Sequence, residues 1–508
     1  MLYNGIMITF SYEEYGDIYA CVYTTLEGAF VYFAFFLIYA YFSILKFSTD
    51  GMEELVSAID HYRRDLFTVI ALLIYNTIAS ILIVFVNIIF LTSYDNFSLE
   101  IAIHIFRLVV LNFTLGGSVA IIAGTIFARI KSIKLQLSLI VVFLVLISPF
   151  IQSENDFGCL NPFFDFFSFL PRNIGYAAIP YAGYSVSMDE WVHYLLIATI
   201  FIIIYLVQNH NKKVNRYICG FMIVGILLFV TYLIPHTIMG EDRIRSKYVD
   251  YYDLNISKEE KADFNIYQYD ADIKICGDMW VCCKMNIDNS QAQSYKFTLL
   301  HEFKIDTIED QDGNKLQYKR DGDYIEIFGK NIKSITICYK GLPEGSYIDT
   351  EAFVIALGKP YVPYAGYIKV YEDGYIPNEF SNEPLFNINI SCMTKVHSNL
   401  KECGDNSFSG SSNSVILYGG FVNSITIDDV TVYYSPYAAE KKEKLNAIEK
   451  TIKEYLALYE SGKVDYDIRN KKIFETYLYE YSTTSVVETY KDYIQTTDIL
   501  NLLQMEEQ

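Results

Sequence analysis

The sequence predicts an α-helical membrane bundle of about six transmembrane helices, followed by an all-β, sandwich-like domain with a short α/β tail. Three observations carry that expectation. Hydrophobic residues fill 52% of 508 positions despite a formal net charge of −20, and mean hydropathy is +0.20. A soluble chain with that charge would rarely have a positive mean. The average conceals two regimes: residues up to 238 are strongly apolar, and residues after 240 hold most of the charge. The second regime is also broken into short alternating runs separated by Asp-Gly and Gly turns.

Residues 1–27 form an extracytoplasmic N-terminal segment. Its start, MLYNGIMITFSY, has neither a basic n-region nor a small-residue cleavage site, so no cleavable signal peptide is expected. Spans are expected at 28–45, 66–92, 102–128, 135–151, 191–207 and 217–235, because crossing a bilayer takes roughly 17–25 apolar residues. Residues 66–92, LFTVIALLIYNTIASILIVFVNIIFLT, are the clearest case. One set of loops carries Lys46, Arg63 and Arg64, then Arg129, Lys131 and Lys134, then Lys212, Lys213 and Arg216. In the opposite set, loop 93–100 has no Lys or Arg and loop 153–190 has Arg172 alone. By the positive-inside rule the N-terminus and the C-terminal half lie outside.

Two loops stand out. Residues 51–64 read as a short amphipathic helix with Leu55, Val56 and Ile59 on one face. Such a helix docks a cytoplasmic partner or, more commonly, simply lies in the interface. Loop 153–190 is long and aromatic, and Pro162, Pro171, Gly175 and Pro180 interrupt it, which fits re-entrant half-helices. His104 and Arg107 sit one turn apart near the outer end of the third span. Intramembrane ionisable groups are functional candidates, although both can snorkel to the interface from a helix end.

The domain at 238–437 is assembled from runs such as ADIKI, YKFTLL, YIEIF, SITICYKG, FNINISC, SVILYG and SITIDDVTVYY. Asp312-Gly313-Asn314 and Asp321-Gly322-Asp323 punctuate them. Residues 438–508 supply a charged amphipathic helix over 438–462, a strand over 472–481 and a polar, helix-like end. The nine cysteines show no zinc spacing. A bridge between Cys392 and Cys403 across a hairpin is one option, and buried free thiols are the commoner one. The acidic balance excludes a nucleic-acid partner, which needs clustered Lys and Arg. No GxxxxGK[ST] or GxSxG occurs, and no cofactor or metal ligand set can be nominated. Tyrosines of this half can line a groove for a peptide ligand, although filling strands is their commoner use.

The membrane half, 28–237, resembles an ABC-2 type transporter permease. The resemblance rests on Asp50-Gly51-Met52-Glu53-Glu54-Leu55-Val56-Ser57 followed by Arg63-Arg64, on Gly124-Thr125-Ile126-Phe127-Ala128-Arg129 closing the third span, and on the position of loop 153–190. It implies that Glu53, Glu54, Leu55, Ile59, Arg63 and Arg64 form the segment that couples to an ATPase subunit. It also implies a second permease half or a homodimer. Against the family's pattern, the helix before the one that enters the coupling segment is expected to be missing, and the sixth span is extra.

The second half resembles the non-catalytic N-terminal β-domain of M1 (gluzincin) aminopeptidases. The resemblance is carried by FTLLHEFKIDTIEDQDGNKLQYKRDGDYIEI, ITICYKGLP, GYIPNEFSNEPLFNINISC and FSGSSNSVILYGGFVNSITIDDVTVYYSP. Residues 438–508 match the start of that family's next domain, and the chain stops about where its catalytic part would begin. His301-Glu302 is followed by no second histidine one helical turn on, so it reads as a structural element of a strand rather than half of a zinc motif. Permeases joined to M1-like ectodomains are a bacterial architecture, which implies a multi-pass protein of the cytoplasmic membrane. The resulting expectation is a non-enzymatic permease subunit moving an unknown substrate with a separate ATPase. A membrane-tethered peptide-binding or sensing protein, or a fragment of a permease–aminopeptidase fusion, are the alternatives.

Overall fold

The computed structural model describes residues 18–49, 61–93, 99–148, 166–167, 188–208, 215–233, 258–276, 278–288, 292–341, 348, 353–355, 361–371, 382–420, 422–434, 441–475, 487–489, 493–496 and 502–503. They fall into two compact units, drawn mainly from residues before and after position 236.

The first unit is helical. Its elements are α1 (Ile18–Thr49), α2 (His61–Ser93), α3 (Leu99–Val109), a π-helical turn (Val110–Leu115), α4 (Gly116–Ala128), α5 (Ile133–Leu146), α6 (Met188–Gln208) and α7 (Asn215–Leu233). Four stretches are long and apolar enough to cross a bilayer: Gly28–Leu45, Asp65–Thr92, Ile101–Ala128 and Trp191–Gln208. They match four of the six expected spans. The other two are shorter apolar helices. The 14 residues of α5 reach only about 21 Å at 1.5 Å per residue, against a hydrocarbon core of roughly 30 Å. In α7 the apolar stretch is Gly220–Val230.

Small residues make α4 the centre of the unit. Val119, Ala120, Ile121 and Ala123 are fully buried, and a Cβ on Gly124 would overlap the Leu37 carbonyl of α1. Close backbone approach through small residues is how helices associate where lipid removes the hydrophobic drive. The outer faces are apolar instead, with Phe67, Tyr75 and Ile89 about two-thirds exposed.

The second unit is built on β-sheets. A seven-stranded sheet has the order β12-β13-β10-β1-β2-β7-β4. Its strands are β1 (Ile266–Cys276), β2 (Asp278–Ile287), β4 (Lys304–Asp310), β7 (Ser334–Gly341), β10 (Leu385–Ser391), β12 (Lys401–Gly404) and β13 (Ser407–Ser411). All neighbours are antiparallel except β1 and β10. A four-stranded sheet joins β5 (Gln317–Asp321), β6 (Tyr324–Phe328), β3 (Ser294–Thr298) and β9 (Tyr364–Ala365) in that order. A three-stranded sheet joins β11 (Val396–Ser398), β14 (Leu417–Gly419) and β8 (Phe353–Ile355). Period-2 alternation explains the packing. On β1, Tyr269, Ala271, Ile273 and Ile275 are buried, while Asp272 and Lys274 between them are exposed. One continuous core takes residues from all three sheets, including Met285, Ile337, Phe297, Ile327, Phe353 and Leu417.

A five-stranded sheet, ordered β15-β16-β17-β19-β18, completes the unit. It contains β15 (Asn423–Ile427), β16 (Val430–Tyr434), β17 (Lys472–Glu475), β18 (Val487–Thr489) and β19 (Tyr493–Thr496). Helix α8 (Lys441–Glu460) connects the parallel strands β16 and β17 and buries Ile448, Ile452 and Tyr455 with Val432 and Ile473. The helix-like end expected from composition is thus strand at β18 and β19. Parallel pairing of β17 with β19 is a tertiary contact that local polarity does not encode.

Two further expectations change. His301-Glu302 lies in a turn, not a strand, and β4 begins only at Lys304. Among the described residues a disulfide that the sequence did not indicate joins Cys282 to Cys338, with Cα atoms 4.1 Å apart, while Cys392 and Cys403 are free thiols as the commoner option had it, though Cys403 is exposed. The two bonded cysteines face each other across β2 and β7. Cys283, one residue on, points into the core instead, where burial pushes its thiol up.

Candidate functional site

The helical unit buries a seam of polar side chains. It begins at the π-helical turn, where the backbone shifts from i→i+4 to i→i+5 hydrogen bonding and the Gly116 N–H reaches the Leu111 carbonyl. Single π-helical turns inside α-helices are rare and frequently sit at functional sites. On one side, Asn76 of α2 donates from Nδ2 to the Thr114 carbonyl at 2.8 Å. Its Oδ1 accepts from the Tyr32 hydroxyl of α1 at 2.8 Å. Gly117 faces the same amide, and a Cβ there would overlap it. On the other side, Asn112 Oδ1 accepts from Tyr194 Oη of α6 at 2.5 Å. Asn112 also reaches back to the Leu108 carbonyl at 3.1 Å. One bulged turn therefore binds α2 and α6 directly, and α1 through Asn76, by neutral donors and acceptors.

A second polar group lies where α2 begins and α4 ends. Arg129 donates to Asp65 at 2.9 Å. Gln136 donates to the carbonyls of Ala128 and Ile130 and accepts from Tyr41. These groups hold helices and orient one another. Hydrogen bonding and charge pairing are the chemistry they offer.

In the second unit, His301, Glu302 and Asp323 bring their ligand-type atoms within 4.8 Å of one another. The residues fit a turn clamp better than a metal. Asp323 Oδ1 already accepts from the His301 backbone N–H at 2.6 Å and its ring Nδ1 at 2.9 Å. Arg320 threads the same turn, donating to the carbonyls of Leu299, Leu300, Phe303 and Gly322. A guanidinium so close opposes a second cation. A cleft of about 390 Å3 elsewhere in the unit is lined by Lys258, Lys296, Lys319, Glu260, Asp321, Glu326, Tyr324 and Tyr367. Two ion pairs line it, Lys258 with Asp321 and Lys296 with Glu260. The hydrogen bond to Asp321 holds the Lys258 ammonium above its ordinary range. The two ammonium groups also lie over the Tyr367 ring.

The chain has partial likenesses among known structures. It is similar to an aminopeptidase N family protein of Idiomarina loihiensis, at 9% identity and a TM-score of 0.33, over 45% of this chain and 42% of that one. It is also similar to leukotriene A4 hydrolase of Saccharomyces cerevisiae, at 13% identity and a TM-score of 0.33, over 52% of this chain and 44% of that one. An M1 zinc metallopeptidase of Deinococcus radiodurans matches at 9% identity and a TM-score of 0.28, over 46% and 60% of the respective chains. The match thus spans less than half the length of the first two proteins. No family model matches the chain, and no curated protein does.

The residues expected to couple to an ATPase are only partly in view. Glu53, Glu54, Leu55 and Ile59 lie outside the described residues, as does most of loop 153–190. Arg63 and Arg64 fall in the opening turn of α2. His104, expected to reach the interface, is 1% exposed and sits inside the bundle. The polar seam escaped the sequence reading. Its trace there is faint: single Asn, Ser and Tyr residues inside apolar runs, without the periodic stripe that marks a face.

Proposed function

We propose that this chain is the membrane subunit of an ABC-2 type transporter, working with a separate ATPase chain and carrying a non-catalytic, M1-like β-domain outside the membrane. ATP hydrolysis is assigned to the partner, and substrate passage to the helical unit together with a second permease half or a second copy.

The observation that carries this reading is the buried polar seam within a multi-helix apolar bundle. A tether needs one apolar helix. Four bilayer-length stretches wrapped round Asn76, Asn112 and Ser80, each at most 5% exposed, exceed that need. Polar groups are costly at membrane depth and mark pathways or helix contacts. The asymmetry of Lys and Arg and the segment Asp50–Ser57 add support from sequence. The Cys282–Cys338 disulfide fits an oxidising compartment outside the membrane.

The test is association. Charge reversal at Glu53, Glu54 and Arg64 in the full chain should reduce recovery of an ATPase from membranes about tenfold or more, as loss of 1.4 kcal/mol or more would do. Undiminished recovery would remove the docking role of residues 51–64.

A further inference from the structure

The turn closing α4 gathers four other helices at one end of the bundle. Arg129 is the C-cap residue of α4, at φ −89° and ψ −4°. Its Nη2 lies 2.9 Å from Oδ2 of Asp65, in the opening turns of α2, with side chains 17% and 10% exposed. The guanidinium carbon sits 4.9 Å from the centroid of the Tyr205 ring of α6. On either side of Arg129, the carbonyls of Ala128 and Ile130 accept from Gln136 of α5 at 3.2 and 2.5 Å. Gln136 in turn accepts from Tyr41 of α1 at 2.7 Å. The turn is thus fixed to α1, α5 and α6 through groups other than Asp65, and α2 joins it through that carboxylate.

The charges sit where the helices favour them. A carboxylate at the start of α2 and a cation at the end of α4 each complement the local helix dipole. Arg129 also has an alternative when the pair opens. Near the end of a membrane helix a long cationic side chain reaches the interface, and Tyr205 keeps its cation–π hold on Arg129. These features let the contact open without removing every hold on Arg129.

We infer that the Asp65–Arg129 pair is the joint through which displacement of the opening turn of α2 passes to the rest of the bundle. Asp65 and Arg129 are positioning residues. The inference rests on the transporter reading, in which an ATPase acts on the chain leading into α2.

The experiment uses the full chain purified with its co-purifying proteins and placed in nanodiscs. Asp65→Asn, Arg129→Gln and the exchanged pair Asp65→Arg/Arg129→Asp are compared with the unaltered chain. Hydrogen exchange is read over 61–66 and over the strands 294–341, together with ATP hydrolysis. Each single variant should speed exchange at 61–66 by about tenfold or more, since it removes the bond that ties the opening of α2 to the turn. It should leave 294–341 unchanged, keep the ATPase bound and lower its coupled hydrolysis. The exchanged pair should recover part of both signals. Unchanged exchange at 61–66, or coupled hydrolysis that persists while exchange rises, would overturn the joint. Faster exchange throughout the helical unit without recovery in the exchanged pair would also overturn it, by reducing the pair to a folding contact. Absence of an ATPase from the unaltered preparation would instead sink the transporter reading, and the exchange data alone would then decide whether the pair holds α2.

Discussion

At the residue scale, His397 gives the second unit a readable pH dependence. Its ring packs on Tyr433 with centroids 4.9 Å apart. Burial, aided by the charges of Lys395 and Lys472, lowers its pKa from 6.5 to about 4. The unfolded chain therefore binds a proton below pH 6.5 that the folded chain refuses until about pH 4. Stability should fall as pH drops through that window and level off beneath it. His397→Gln should flatten the decline, measured as the urea midpoint of the second unit. An unchanged slope would mean that other groups titrate there. The disulfide acts at the same scale. It closes a 56-residue separation, for which loop entropy predicts about 4 kcal/mol. Cys338→Ala should lower the unfolding free energy of this unit by roughly that amount, while Cys403→Ser, at an exposed free thiol, should leave it unaltered.

At the element scale, the π-helical turn and Asn76 behave as one device. Asn76→Ala removes the donor to Thr114 and the acceptor for Tyr32, and interhelical hydrogen bonds of this kind contribute about 1–2 kcal/mol. Gly117→Ala alone drives a methyl into the Asn76 amide. With Asn76→Ala present that obstruction is gone, so the double variant should cost clearly less than the sum of the two. Unfolding in bicelles measures this, and strict additivity would show that the two positions do not share a contact. The strands show how far local pattern reaches. Tyr324–Phe328 and Ser334–Gly341 were legible as alternating runs. The Asp321-Gly322-Asp323 turn was legible because Asp-Gly marks a tight hairpin, and Gly322 takes φ +60° between β5 and β6. The bulge at 110–115 was not, since an i→i+5 shift leaves no mark in residue type. The pairing of Cys282 with Cys338 and of Asp65 with Arg129 was equally hidden. Each joins residues more than fifty positions apart, a distance over which local propensity says nothing. Of the site, the basic loops could be read, but the groups that lock the helices together could not.

At the scale of the whole molecule, two independent features support one orientation. Lys and Arg gather in one set of loops, and the second unit carries an oxidised cysteine pair. With intact cells, a membrane-impermeant maleimide should therefore label Cys403 at once, and Cys282 and Cys338 only after an impermeant reductant. Labelling that requires the cells to be opened would place the second unit on the other side. No GxxxxGK[ST] occurs in these 508 residues, so the transporter proposal stands or falls with its partners. The decisive measurement is a mild-detergent purification of the full chain from native membranes, with mass spectrometry of everything recovered. The account predicts an ATPase bearing a P-loop in stoichiometric amount, with a second permease chain or a second copy of this one. Recovery of a single copy of the chain alone, or in company only with an M1-like zinc protein, would contradict it.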